Sequence, residues 1–142
     1  MNVYYKNIFG SALSNWLAIS SNINYSWGNS SNQSRDDEYY ATTTSTAGLL
    51  GYTEPMKKIL FINVDADVNE NWDFCRVYIY TNQMDANNMT DAQKISNATH
   101  EIGHSLKLAH PTSSHTSVMN QGIQSIGPTD YDRSELISKW GN

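Results

Sequence analysis

The sequence predicts an α+β chain, and three observations carry that prediction. Apolar residues recur at helical spacing near both ends, short β-branched and aromatic runs fill the middle, and two helix-start signals stand in the C-terminal half. With 142 residues, 39% hydrophobic and 16% charged, the chain has enough apolar side chains for one sizeable core and reads as a single domain over 1–142.

Ile8 to Ser20 carries Phe9, Ala12, Leu13, Trp16 and Leu17 at helical spacing, predicting an amphipathic helix. Ile23-Asn24-Tyr25-Ser26-Trp27 alternates apolar and polar residues as a half-buried strand does. Gly28 to Asp37, rich in Ser and Asn, reads as a loop. Tyr39 to Thr46 is β-prone, although its run of Thr and Ser fits an exposed loop equally well. Leu49-Leu50-Gly51-Tyr52 predicts a short strand closed by a turn at Glu54-Pro55. Ile59-Leu60-Phe61-Ile62-Asn63-Val64 predicts a strong strand, and Arg76 to Thr81 another. Thr90 with Gln93 forms a capping-box pattern, after which Ile95, Ala98, Ile102 and Leu106 follow at spacings of three and four; this predicts a helix with one buried face. Thr129 with Asp132 repeats the capping pattern, and Leu136, Ile137 and Trp140 supply the apolar face of a last short helix.

Several function classes are disfavoured at once. No apolar run approaches the roughly 20 residues that a membrane-crossing helix needs, so no membrane insertion is expected. Met1 to Gly10 lacks the basic start and apolar block of a signal peptide, so any export would depend on a segment outside this sequence. The net charge is −5 with no cluster of Lys or Arg, which argues against a nucleic-acid partner. Cys75 is the only cysteine, which excludes an internal disulfide and a Cys-based metal knuckle; within an apolar strand it reads as an inert buried thiol.

The chemistry concentrates in His100-Glu101-Ile102-Gly103-His104. Residues four apart on a helix share a face, so both imidazoles can reach one ion from the same side. Glu101, about 100° around the helix, can address a water on that ion without ligating it. His110 follows six residues after His104 and can return to the same ion if the chain turns sharply out of the helix. Neutral imidazole suits Zn2+, and a catalytic zinc site takes three protein ligands with one position left open. Three of the chain's four histidines fall in this eleven-residue window, a concentration that a merely solvated helix does not explain.

The stretch His100-Glu101-Ile102-Gly103-His104-Ser105-Leu106-Lys107-Leu108-Ala109-His110 resembles the signature of the metzincin zinc peptidases. Ser117-Val118-Met119 resembles their Met-turn, and the short gap from His110 to Met119 and the Trp140-Gly141 ending are similar to the matrixin branch. The resemblance covers Asp91 to Gly141. It implies a zincin fold: a twisted mixed β-sheet, a long active-site helix, a Met-turn and a C-terminal helix. It implies a secreted or cell-surface, monomeric metalloendopeptidase with zinc on His100, His104 and His110, Glu101 as general base and Met119 beneath the metal. The substrate would be a protein or peptide, extended along an edge strand; Leu49 to Thr53 and Ile59 to Val64 are both candidates. Asn120 to Ile123 would form the wall of the pocket beyond the cleaved bond.

This sequence departs from the pattern at two places. Lys107 stands where the family has Gly, a position whose left-handed backbone costs a non-Gly residue on the order of 1 kcal/mol. Gln121 stands where the astacin-like and serralysin-like branches place a Tyr, so no Tyr switch is expected. Met119 has a plain alternative as a filler of core gaps. His115 reads as a loop histidine, and Asp132 as either a helix cap or the acceptor of a mature N-terminus. Asp65, Asp67, Asn69, Asn71 and Asp73 alternate as in a calcium loop, but Glu70 and Arg76 replace its Gly and closing Glu; the segment reads as a solvated acidic loop, or else as a structural Ca2+ site. Two other readings compete: a metzincin-like binding or inhibitory module without turnover, and a site completed by Glu135 in place of His110. A zinc-dependent RNA-processing enzyme fits less well, given the acidic composition.

Overall fold

In the computed structural model, residues 1–28, 36–67, 69–112 and 114–142 are described. The observed class is α+β, with four helices and a four-stranded mixed sheet among the described residues. No described helix is long and apolar enough to cross a membrane.

Helix α1, Val3–Leu17, begins five residues before the expected start at Ile8 because the Asn2 side chain accepts from the Tyr5 N–H and caps it. Its buried face is Ile8, Phe9, Ala12, Leu13 and Trp16. Trp16 docks on the third helix, its indole N–H donating to the Thr99 carbonyl at 2.9 Å. The expected strand over Ile23 to Trp27 does not form. That segment buries Ile23 and leans Tyr25 on the core, but pairs with no strand among the described residues. Alternation reports which side chains face inward; it does not supply a ladder partner. Most of the loop expected over Gly28 to Asp37 lies outside the described residues.

The strands are β1 (Glu38–Thr42), β2 (Gly51–Ile59), β3 (Ile62–Asp65) and β4 (Phe74–Tyr80), in the order β1-β4-β2-β3. β1 runs parallel to β4, whereas β2 is antiparallel to both β3 and β4. Cys75, Val77 and Ile79 of β4 are fully buried towards the helices, while on the opposite face Tyr78 stacks between Tyr40 and Tyr80. Burial pushes the Cys75 thiol well up, in keeping with an inert core residue.

Two expectations about β2 and β3 are corrected. β2 does not stop at Glu54-Pro55 but runs through them. Pro55 lies opposite Cys75, whose N–H bonds instead to the Asp37 carboxylate at 2.7 Å, so the ladder asks Pro55 for no donor. Ile59 to Val64 is not one strand but the bend of a hairpin, with Ile59 opposite Ile62 and Leu60 at φ 56°. Its tip stays in water: Leu60 is 84% exposed and Phe61 98%.

β4 leads directly into α2, Thr81–Ala86, a short helix that the sequence pattern did not announce. α3, Asp91–Ser105, begins at the expected Thr90–Gln93 capping box, with both reciprocal bonds present. It lies between the sheet and α1, burying Ala98, Thr99 and Ile102 completely. α4, Asp130–Trp140, buries Leu136 and Asp132, and its Trp140 indole donates to the Leu106 carbonyl at 2.7 Å, tying it to the end of α3.

Candidate metal centre

His100 and His104 lie one turn apart on α3, and the chain then reverses to bring His110 to them. The reversal is a Schellman ending: the Leu108 N–H reaches the Gly103 carbonyl at 3.0 Å and the Lys107 N–H reaches that of His104 at 2.9 Å. It requires a left-handed residue, and Lys107 takes it at φ 65°. The Lys107 ammonium lies 4.4 Å from the centre of the Trp72 ring and donates to Asn71 Oδ1 at 3.2 Å, contacts that offset the backbone cost.

The three Nε2 atoms lie 3.1, 3.2 and 3.2 Å from one another. His100 Nδ1 sits 2.9 Å from the Val118 carbonyl and His104 Nδ1 2.9 Å from that of Leu108. Those carbonyls can only accept, so the ring protons sit on Nδ1 and the Nε2 lone pairs of both rings point inward. Converging lone pairs repel unless a cation stands among them. At zinc–nitrogen lengths of about 2.0–2.1 Å the triangle subtends about 100° at the ion, near tetrahedral, with one face open. These three side chains form a group that could hold a metal ion, and it is the only such His/Cys/Asp/Glu group among the described residues. Burial holds the His100 imidazole below its usual range and, with His100 adjacent, pushes His104 down to about 4. Both shifts favour the neutral, ligating form of the rings, and His104 stays neutral well below pH 6.5.

Glu101 is buried beside this group, and burial raises its carboxyl to about 7, moderated by Thr53. The Thr53 hydroxyl lies 2.7 Å from the Glu101 carbonyl and 2.9 Å from its Oε2. Across from it is Gly51, where a Cβ would come within 2.7 Å of the Glu101 side chain. The sequence reading offered Leu49 to Thr53 as one of two edges but not the contacts of Gly51 and Thr53 with Glu101. The glycine within Leu49-Leu50-Gly51-Tyr52, an unusual residue inside a strand, was the available signal. Beside Glu101 opens a cleft of ≈ 200 Å³, lined in part by Leu50, Asn97, His100, Val118 and Gln124.

Met119 is buried under the helix. Its Sδ occupies the space that any Cβ at Gly103 would need, so the glycine of His-Glu-Ile-Gly-His admits the methionine. The turn carrying Met119 is held by Asp132, which is 1% exposed. The Asp132 carboxylate accepts from the Ser117 hydroxyl, the Val118 N–H at 2.9 Å and the Thr129 N–H at 2.7 Å. Asp132 is thus both the cap of α4 and the clamp on the residue whose carbonyl orients His100.

The remaining candidates do not join the site. His115 stacks on Tyr131 at 4.3 Å, and Glu135 is exposed on α4. The carboxylates of the 65–73 segment are not gathered into a three-group cluster. Asp67 accepts from the Asn69 backbone and side chain, Asn71 takes Lys107, and Asp73 accepts the Lys58 N–H. Of the two candidate edge strands, β2 at Gly51–Thr53 borders Glu101, whereas Ile59 to Val64 is the distant hairpin bend.

No protein-family model, curated protein or solved structure matches this chain.

Proposed function

We propose that this chain is a zinc-dependent endopeptidase of metzincin, matrixin-like type. The observation that carries the reading is the convergence of three Nε2 atoms at 3.1–3.2 Å beside a buried glutamate that borders an open strand edge. A metal-binding helix alone would need neither Glu101 nor the edge.

Zinc, when held by His100, His104 and His110, supplies Lewis acidity that polarises a carbonyl and acidifies water. The chain's own residues do the rest. β2 receives an extended peptide through the outward N–H and C=O groups of Gly51 and Thr53. The cleft beside Val118 and Gln124 receives one substrate side chain. Glu101, raised to about 7, takes a proton from the attacking water and returns it to the leaving amine, a task that needs a group poised near neutrality. Thr53 fixes the carboxyl's orientation throughout.

The test is cleavage of a mixed quenched-fluorescent peptide library by the zinc-loaded protein beside its Glu101→Ala variant. Cleavage by the native chain that a chelator abolishes, and that falls about 10²–10⁴-fold in the variant, is the expected result. Zinc bound at one per chain with equal silence from both proteins would overturn the reading in favour of a binding module.

A further inference from the structure

Resting on that peptidase reading, we infer that the groove closes after about three substrate residues on the side before the cleaved bond. The wall is β3 with Ala66 after it, which take the same edge of β2 from Pro55 onward.

The edge of β2 sets the limit. The Leu50 carbonyl accepts the Tyr80 N–H, so it faces β4; alternation then turns the peptide groups of Gly51, Thr53 and Pro55 outward. Among the described residues, no backbone group meets those of Gly51 and Thr53. Pro55 differs on both counts: it has no N–H, and its carbonyl already accepts from Ala66 at 2.9 Å. Beyond it β3 fills the same edge, pairing with Met56 to Ile59. The open edge therefore ends at Pro55.

Direction follows from strand chemistry. An added strand pairs best antiparallel, so a bound peptide runs from Pro55 towards Gly51. Residues before the cleaved bond lie towards the wall, and those after it towards the cleft at Leu50 and Asn97. Glu101 sits between Gly51 and Thr53, leaving roughly 10 Å to Pro55, or about three extended residues.

The chain that follows the wall is tied to α3. After Ala66 the chain crosses to β4, and on the way Asn71 and Trp72 take the Lys107 ammonium at 3.2 Å and 4.4 Å. Trp72 also packs against the core. Lys107, the one departure from the glycine of the motif, thus ties the crossover to the metal helix.

The measurement uses nested N-acetylated peptides of one sequence, carrying one to six residues before the cleaved bond. Two readouts are taken: kcat/KM with the zinc-loaded native protein, and Kd with zinc-loaded Glu101→Ala. Both should improve about tenfold in total up to the third residue, as a few backbone bonds allow, and then stay within about twofold. In Lys107→Gly, which leaves Ala66 on the Pro55 carbonyl and β3 on Met56 to Ile59, the limit should stay at the third residue; a gain at the fourth would overturn the wall. Steady gains through six residues in the native protein would overturn the wall while leaving the peptidase standing. A limit on the opposite side of the bond would overturn the direction. Neither cleavage nor binding of any peptide would overturn both readings.

Discussion

Helix α3 and the β2–β3 hairpin carry comparably strong apolar signals, and the protein treats them in opposite ways. Ile102 and Ala98 of α3 are fully buried, whereas Ile62, Leu60 and Phe61 of the hairpin are 67%, 84% and 98% exposed. The difference lies in what each signal contains. The α3 pattern specifies its own start through the Thr90–Gln93 box and its buried face through its period, both within a few residues. The hairpin run states only that its residues are apolar and β-prone. Whether it is buried depends on a neighbour, and β3 has only β2 beside it.

The comparison can be pressed at several points, beginning with the largest effect. His104→Ala removes one of three convergent ligands, and zinc affinity should fall by at least about 10²-fold in a competitive chelator titration. Removing hairpin apolar residues, as in Phe61→Ser, should leave zinc affinity unchanged. Ile102→Ala should cost about 2–5 kcal/mol by urea denaturation, whereas Ile62→Ala should stay within about 0.5 kcal/mol. Equal costs would mean that the hairpin is covered in solution. Asp132→Ala should cost about 3 kcal/mol, because Ser117, Val118 and Thr129 lose a buried acceptor together.

A pH experiment sharpens the same contrast at Glu101. Its folded value, raised from 4.5 to about 7, favours the neutral form, so its contribution is intact below pH 4.5 and is lost as pH rises through 7. Metal-free Glu101→Gln should therefore match the native chain near pH 4.5 and exceed it at pH 8, by at most about 3 kcal/mol. His104 works in the opposite sense. Pushed down from 6.5 to about 4, its contribution is present above pH 6.5 and is lost as pH falls through 4. Thermal melts across this range read both. The smallest expected effect is Leu60→Gly: relief of the left-handed leucine should stabilise the chain by no more than about 1 kcal/mol.

Much of the candidate site was legible because it is local. The three histidines, Glu101 and Met119 lie within one contiguous stretch, and helical geometry alone puts His100 and His104 on one face. The left-handed position at Lys107 was equally readable, as a cost. The contacts of Gly51 and Thr53 with Glu101 were not, since nothing in a strand some fifty residues upstream announces which helix it will face. Nor was the clamp by Asp132, whose capping pattern explains α4 but not its hold on Val118. Ile23 to Trp27 failed in another way: its alternation held in burial at Ile23 and Tyr25 but not at the exposed Trp27, and it was empty in pairing.

The sequence by itself determined what short-range physics governs: the α+β class, the caps and buried face of α3, the inward pair of imidazoles and the inert Cys75. Only the tertiary structure decided the rest: the continuation of β2 through Pro55, the exposure of the hairpin, the partners of Glu101 and Asp132, and the Ala66 N–H that takes the Pro55 carbonyl. Helical period and capping depend on residues within about a turn of one another, whereas a strand's partner, edge and burial are properties of segments far away in the chain.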